Sequence, residues 1–208
     1  MTIGFEPVSH TYRLADGRQV PHVTGILVAL EQFYGVPPSA LEYAAERGRD
    51  VHAACQYLDE GDLDEGSLDA EIAPYVAAYR RFLADVRPEW IAIEERVYSE
   101  RWGYAGTLDR AGLLSPHGVR GERRVVLDIK TVSSLSPVTG LQLAAYDEAY
   151  RGGDRRSRAL LRYGLQLRPS GDYRLQRYDE PTDLSVFLAQ LTVAGWCRRH
   201  GKTQEIAA

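Results

Sequence analysis

The alternation of hydrophobic and polar positions along the chain predicts both strands and helices. Val125 to Leu127 form a continuous apolar run in a segment rich in β-branched residues, which is typical of a central strand covered on both faces. Elsewhere, apolar residues recur at helical spacing. The pattern predicts a hairpin over 11–20, helices over about 23–31, 39–60, 69–86, 138–150 and 182–200, and strands over about 90–98, 103–114, 123–131, 158–167 and 172–178.

Capping residues refine the ends of two of these helices. Ser39 is the expected N-cap of the long helix, with Glu42 completing a capping box, and Gly61 is its expected stop. Thr182 or Asp183 is the expected cap of the last helix.

The order of the elements predicts an α/β (α+β) fold, with a mixed sheet of about five strands flanked by helices. The chain has 208 residues, of which 44% are hydrophobic, so we expect one domain with a sizeable core over 1–208. Within it, an N-terminal hairpin and helix cover 1–35, a helical segment covers 36–88, and the sheet with its helices covers 89–200.

The strand over 123–131 places an acid and a lysine on one face. Successive strand side chains point to opposite faces, so Asp128 and Lys130 lie together and Ile129 points away. Buried charges without partners are costly. A divalent cation such as Mg²⁺ would satisfy them, whereas an exposed Asp–Lys ion pair is the alternative interpretation.

A second acid, Asp109, lies in the preceding strand. Gly106 and Gly112 flank it and permit close backbone approach or unusual dihedral angles. Residues 115–122 are rich in turn formers and predict a hairpin between the two strands. We therefore expect Asp109 and Asp128 on adjacent antiparallel strands, close enough to bind one ion.

The segments GYAGTLDRAG, LDIKT and QLAAY resemble the PD-(D/E)XK nuclease superfamily, in its RecB-like and phage-exonuclease branch. The resemblance spans about residues 5–150. It implies a restriction-endonuclease-like core of order αβββαβ and a metal-dependent DNA nuclease, an exonuclease of the phage or recombination-repair type. It also implies Asp109 and Asp128 as the metal carboxylates and Lys130 as the catalytic lysine.

The resemblance extends to a helix motif, Q-x-x-x-Y, formed by Gln142 and Tyr146. These residues share one helix face and are expected, with Thr131, to contact the nucleic-acid backbone or to buttress Lys130. An ordinary amphipathic helix with Tyr146 in the core is the alternative.

Upstream, residues 48–52 match the branch's G-x-x-x-H motif, which implies His52 as a further metal ligand. On the residues alone, His52 falls on an apolar helix stripe, where a lone histidine is more often a core residue than a ligand. Glu94 resembles the acid that precedes the aspartate strand, and Glu95 fits that position as well. The Ile129 backbone carbonyl completes the expected ligand set.

The expected cofactors are one or two Mg²⁺ or Mn²⁺ ions, with histidine favouring Mn²⁺. Cys55 and Cys197 are the only cysteines, so the four thiolates of an iron–sulfur cluster are absent. Lys130 is expected to orient or help deprotonate the attacking water, or to stabilise charge on the phosphate.

DNA is the expected substrate, and a single-strand-annealing or recombination protein is the partner considered. The net charge is −4, so binding depends on local basic clusters, here residues 151–158 with Arg162 and Arg168, and Arg120 with Arg123 and Arg124. Solvated loops are the alternative for both clusters. Because no membrane-length apolar stretch or signal pattern is visible, we expect a cytoplasmic protein. A non-cleaving nucleic-acid-binding module of the same fold is the alternative function.

Overall fold

The computed structural model describes five stretches of the chain. The turn predicted over 115–122 and residues 153–157 of the larger arginine cluster lie outside them. The described residues are 3–7, 9–31, 36–114, 123–152 and 158–202.

The N-terminal part forms a small three-stranded sheet rather than a single hairpin. It consists of β1 (Gly4–Glu6), β2 (Thr11–Arg13) and β3 (Gln19–Val20), paired antiparallel in that order. The helix that follows, α1 (Val23–Leu27), is shorter than predicted because the chain tightens into a 3-10 turn at Val28–Leu30.

Two helices follow, and the first begins without the predicted cap. α2 (Pro38–Glu60) has Pro37 at its N-cap position and no side-chain cap bond, so the Ser39 capping box is wrong. The proline at the first helical position lacks an N–H and is preorganised for the helix, which lessens the need for a cap. Gly61 ends the helix in the left-handed conformation, as predicted. α3 spans Ala73–Val86.

The main sheet has five strands in the spatial order of the sequence, and only one neighbouring pair is parallel. The parallel pair, β6 and β7, is connected by a helix, as crossover geometry requires. The predicted mixed five-stranded sheet and the order αβββαβ are therefore confirmed. The elements are β4 (Glu89–Ser99), β5 (Tyr104–Leu114), β6 (Arg123–Lys130), α4 (Val138–Tyr150), β7 (Leu161–Leu167), β8 (Tyr173–Tyr178) and α5 (Asp183–Arg199).

Helices cover both faces of this sheet. α2 and α3 bury one core, with Tyr79 and Phe82 fully enclosed, against side chains of β6 and β7. α1, α4 and α5 bury a second core on the other face, around Leu143 and Phe187. Val125, Val126 and Leu127 are fully buried, as expected of a strand covered on both sides. Among the described helices, none combines the length and apolarity that crossing a membrane requires.

Candidate active site

The acids predicted from the sequence meet in one cleft of about 910 Å³, bordered by α2, α4, the N-terminal sheet and the middle strands. β5 and β6 pair antiparallel with Arg110 opposite Leu127. Beyond the last ladder pair, Asp109 Oδ2 accepts a hydrogen bond from the Ile129 N–H at 2.6 Å. Asp109 and Asp128 thus lie on adjacent antiparallel strands, as expected.

His52 lies between two carboxylates. Its Nδ1 is 3.6 Å from Glu94 Oε1 and 3.7 Å from Asp109 Oδ2. Its Nε2 donates to the Ile129 carbonyl at 3.0 Å, because a carbonyl can only accept. Because Nε2 carries the proton of this bond, Nδ1 of the neutral imidazole has a free lone pair that faces the two acids. Metal-binding histidines usually have this arrangement, with one ring nitrogen donating to a carbonyl and the other free to bind the ion.

The helix surface around His52 differs in part from the predicted core stripe. Val51, Ala54 and Cys55 are the buried residues of α2, whereas His52 is only partly buried. His52 therefore lies at the edge of the core and faces the cleft.

Glu94, and not Glu95, belongs to this cluster. Glu94 adopts φ 46°, a left-handed conformation that is rare inside a strand. In the β4–β5 ladder, Ile93 pairs with Arg110 and Glu95 pairs with Leu108. Glu94 and Asp109, which lie between these pairs, are not paired in the ladder. Glu95 is exposed. The local distortion turns the Glu94 carboxylate towards His52.

A second group of contacts surrounds Lys130. Its Nζ lies 2.7 Å from Asp128 Oδ2 and donates to Gln142 Oε1 at 3.1 Å. The Gln142 amide donates to Asp128 Oδ1 at 2.8 Å and to the Tyr146 hydroxyl at 3.3 Å. Gln142 thus buttresses the lysine and the acid together, and Tyr146 shares its helix face, as the i, i+4 spacing predicts.

Gly106 makes room for this arrangement. A Cβ at Gly106 would lie 2.6 Å from Tyr146 Cε1, so a side chain there would displace the ring. At Gly112 a Cβ would lie 2.1 Å from the Glu89 carbonyl oxygen. Both glycines therefore permit close approach, which was one of the two roles predicted for them.

Burial and mutual proximity shift the titration of the site. Burial raises the pKa of Asp109, and it raises the pKa of Asp128 to about 6 although Lys130 opposes the shift. Burial also disfavours charged His52, but Asp109 and Glu94 outweigh it and raise its pKa to about 9. Burial also disfavours charged Lys130, but the carboxylates of Asp128 and Asp109 outweigh burial and raise the pKa of Lys130.

The residues present fit a divalent cation. Ligand atoms of His52, Glu94 and Asp109 lie within 4.8 Å of one another, and they form the one such group among the described residues. One nitrogen and carboxylate oxygens suit Mn²⁺ or Mg²⁺. Asp128 lies outside that group, and its buried Oδ2 is paired with Lys130 Nζ at 2.7 Å.

One buried network at the site was not foreseen. Arg110 is fully buried and donates from Nε to Asp59 Oδ2 at 2.7 Å and from Nη1 to Glu94 Oε1 at 2.9 Å. The Tyr79 hydroxyl also donates to Asp59 Oδ2, at 2.7 Å. The sequence contains two indications of this network. A charged residue such as Arg110 inside a strand buried on both faces needs a partner. Asp59 lies seven residues after His52, on a similar face of the helix.

Other expected contributors lie beside the site or away from it. Thr131 follows β6, and its carbonyl accepts from Arg47 Nη2 at 3.4 Å. Arg162 pairs with Asp183 at 2.7 Å and is committed to packing α5 rather than to a ligand. Arg123 and Arg124 are exposed at the opposite end of β6 from Lys130.

Comparison with known proteins gives only distant likenesses. No protein-family model matches the chain, and no curated protein matches it. Among solved structures, it is similar to the alkaline exonuclease LHK-Exo from Laribacter hongkongensis, with 13% identity, 86% of this chain and 92% of that chain covered, and a TM-score of 0.35. It is also similar to LHK-Exo in complex with dAMP, with 14% identity, 88% of this chain and 93% of that chain covered, and a TM-score of 0.33. Because identities and TM-scores are this low, neither likeness carries a functional argument.

Proposed function

We propose that the chain is a metal-dependent nuclease that hydrolyses the phosphodiester backbone of DNA, acting as an exonuclease of the phage or recombination-repair type. The observation that supports this most is the meeting of His52, Glu94 and Asp109 in the cleft that also holds the Asp128–Lys130 pair. Acids, a histidine and a lysine so arranged suit phosphoryl-group chemistry.

In the proposed site, His52, Glu94 and Asp109 hold the cation, and Asp128 and the Ile129 carbonyl are the further ligands predicted. Bound there, Mg²⁺ or Mn²⁺ supplies positive charge to the phosphate and lowers the pKa of water. His52 is oriented for binding by its bond to Ile129. Glu94 is oriented by Arg110.

Lys130 contributes charge rather than basicity. Its pKa is raised, because Asp128 and Asp109 outweigh the effect of burial, so it stays protonated at neutral pH. A protonated ammonium can orient the attacking water and stabilise negative charge that develops on the phosphate. Lys130 and Lys202 are the only lysines in the sequence, so a compact ammonium stands here in a chain whose other strongly basic residues, apart from Lys202, are arginines.

Gln142 keeps that ammonium in place, since it bonds to both Lys130 and Asp128. The products implied by the family resemblance are a 5′-phosphate and a 3′-hydroxyl. A DNA substrate, a cytoplasmic location and a single-strand-annealing or recombination partner are parts of the same proposal.

A cleavage assay tests the proposal. End-labelled linear DNA and closed circular DNA, single- and double-stranded, are incubated with the protein in Mg²⁺, Mn²⁺ or EDTA. We expect loss of linear DNA that needs the metal, with circles spared. Cleavage of circular DNA would show that the protein cuts internally, as an endonuclease, and would contradict the proposed exonuclease activity. DNA binding without cleavage under every metal would favour the non-cleaving binding module instead.

A further inference from the structure

The N-terminal sheet lines the cleft with aromatic rings. The ring centroids of Phe5 and His10 lie 5.1 Å apart, and those of His10 and His22 lie 4.7 Å apart. Tyr12 is 4.7 Å from Phe5. We name these four residues the ring wall. All four line the cleft that contains the candidate metal-binding acids and Lys130, yet the proposed nuclease chemistry uses none of them.

Two members of the ring wall, Tyr12 and His22, are held by hydrogen bonds and packing. The Tyr12 hydroxyl shares a hydrogen bond of 2.8 Å with Thr107 Oγ1, two residues before Asp109 in β5. His22 Nδ1 accepts from the Gly25 N–H at 3.1 Å. A Cβ at Gly25 would lie only 2.7 Å from His22 Nε2, so the imidazole packs directly on this glycine. Rings fixed in this way lose little conformational entropy when they bind a flat ligand.

His10 projects from a strained backbone. Three described residues other than glycine have positive φ: His10 at 47°, Glu94 at 46° and Arg87 at 50°. Arg87 ends α3, where a left-handed residue is common. The other two border the same cleft, and such conformations concentrate at functional sites.

The ring wall is uncharged at neutral pH. Burial, with a contribution from His10, lowers the pKa of His22 to about 4. Burial and the nearby Arg49 lower the pKa of His10. Arg49 lines the same cleft and forms no ion pair with any residue that the structure describes. Neutral rings beside an available guanidinium match the two halves of a nucleotide, a flat base and a phosphate.

We propose that the ring wall binds the base of one unpaired nucleotide of the substrate by stacking, with Arg49 contacting its backbone phosphate. This inference rests on the proposed nuclease function and defines its substrate class. A base inside a duplex is covered on both faces by its neighbours, so it is free to stack between protein rings once it is unpaired. The preferred substrate is therefore single-stranded DNA or a duplex with an unpaired end, without strong sequence preference, because every base offers a π-face.

Binding of short DNA to the full-length protein tests the inference separately from cleavage. A fluorescein-labelled oligothymidylate is titrated in EDTA and compared with versions in which one abasic residue is moved along the strand. We expect one position at which loss of the base weakens binding roughly fivefold or more. Equal affinity at every position, with DNA still bound, would overturn the inference and leave the nuclease proposal standing.

Two variants locate the effect. His10→Asn removes the ring but suits the left-handed backbone, and Gly25→Ala displaces the His22 ring. Both are expected to weaken binding of the intact strand and to abolish the position-specific abasic effect. His200→Ala is the matched control, because His200 stacks on Trp196 at 4.5 Å outside the cleft.

An abasic effect that persists in both variants would place the stacking site elsewhere and overturn the inference. Absence of DNA binding, together with a negative cleavage assay, would overturn the nuclease proposal and the inference with it. Near-ultraviolet circular dichroism and the melting temperature of each variant confirm that the fold is retained.

Discussion

Arg110 Nη1 donates to Glu94 Oε1 at 2.9 Å, and the Nε of the same guanidinium donates to Asp59 Oδ2 at 2.7 Å. Arg110 has no exposed surface, and Asp59 does not line the cleft. Asp59 of α2 thus holds Arg110, and Arg110 holds Glu94. The orientation of Glu94 therefore depends on Asp59, a residue outside the cleft. The planar fork of arginine meets both acids at once, which a lysine cannot do in this geometry.

Arg110→Lys tests this dependence. We expect the free energy of unfolding to fall on the order of 2–3 kcal/mol, because one buried acid loses its partner. We also expect Mn²⁺ affinity to fall about tenfold, as for other outer-sphere changes at metal sites. Chemical denaturation and isothermal titration calorimetry measure the two effects.

Arg81→Lys is the matched control for that substitution. Arg81 also forms a 2.7 Å pair, with Asp172, but both side chains are more than half exposed. Exposed pairs contribute little, so we expect a change of about 0.5 kcal/mol or less. Unchanged Mn²⁺ affinity in Arg110→Lys would show that Glu94 needs no support from Arg110.

Features that depend on local periodicity could be predicted from the sequence. Strand alternation places Asp128 and Lys130 on one face, and their 2.7 Å contact agrees with it. Helical spacing likewise pairs Gln142 with Tyr146. The hairpin pairing of β5 with β6 follows from two apolar segments separated by turn formers.

Features that depend on packing between distant segments could not be predicted. Arg110 and Asp59 are 51 residues apart, and their contact depends on how α2 docks on the sheet. The choice of Glu94 over Glu95 depends on a local distortion of β4 that no residue pattern marks. The contact between the His10 and His22 rings depends on how the three-stranded N-terminal sheet folds, and only a hairpin was predicted there.

Lys130→Ala is expected to reduce the rate of DNA cleavage by at least two orders of magnitude, because charge developing on the phosphate loses its nearest ammonium. Metal-dependent DNA binding should remain. Single-turnover cleavage and fluorescence anisotropy separate the two. Lys202→Ala, at the only other lysine and exposed, is the control and should cut at the wild-type rate. Cleavage at that rate by Lys130→Ala would show that the proposed mechanism is wrong.

The stability of the metal-free protein should depend on His52 between neutral and alkaline pH. The carboxylates of Asp109 and Glu94 outweigh burial and raise the pKa of His52 to about 9, from 6.5 in the unfolded chain. The folded state therefore binds the proton more tightly. This stabilisation is fully present below pH 6.5 and is lost as pH rises through about 9.

Unfolding in EDTA across that pH range measures the effect. We expect the wild type to lose on the order of 1–3 kcal/mol relative to His52→Gln. With saturating Mn²⁺ the trend should reverse, because the ion competes with the proton for Nδ1 and binds better as pH rises. Parallel pH profiles of wild type and variant in EDTA would contradict the assignment.

Gly48→Ala should separate stability from function. Gly48 lies inside α2 and lines the cleft, and a Cβ there would meet Thr131 Oγ1 at an ordinary 3.7 Å. Alanine therefore fits, and we expect a gain of up to about 1 kcal/mol from helix propensity. If DNA passes over this glycine, cleavage should nevertheless slow.

Gly106→Ala is the control for Gly48→Ala, with the opposite expected effect on stability. Its Cβ would lie 2.6 Å from Tyr146 Cε1, so alanine does not fit there. We expect it to destabilise the fold by about 1–3 kcal/mol and to reduce cleavage through the displaced Tyr146 and its partner Gln142. Denaturation and single-turnover cleavage of the two alanine variants are compared side by side. A more stable Gly48→Ala that cleaves at the wild-type rate would show that the substrate does not approach α2 at this point.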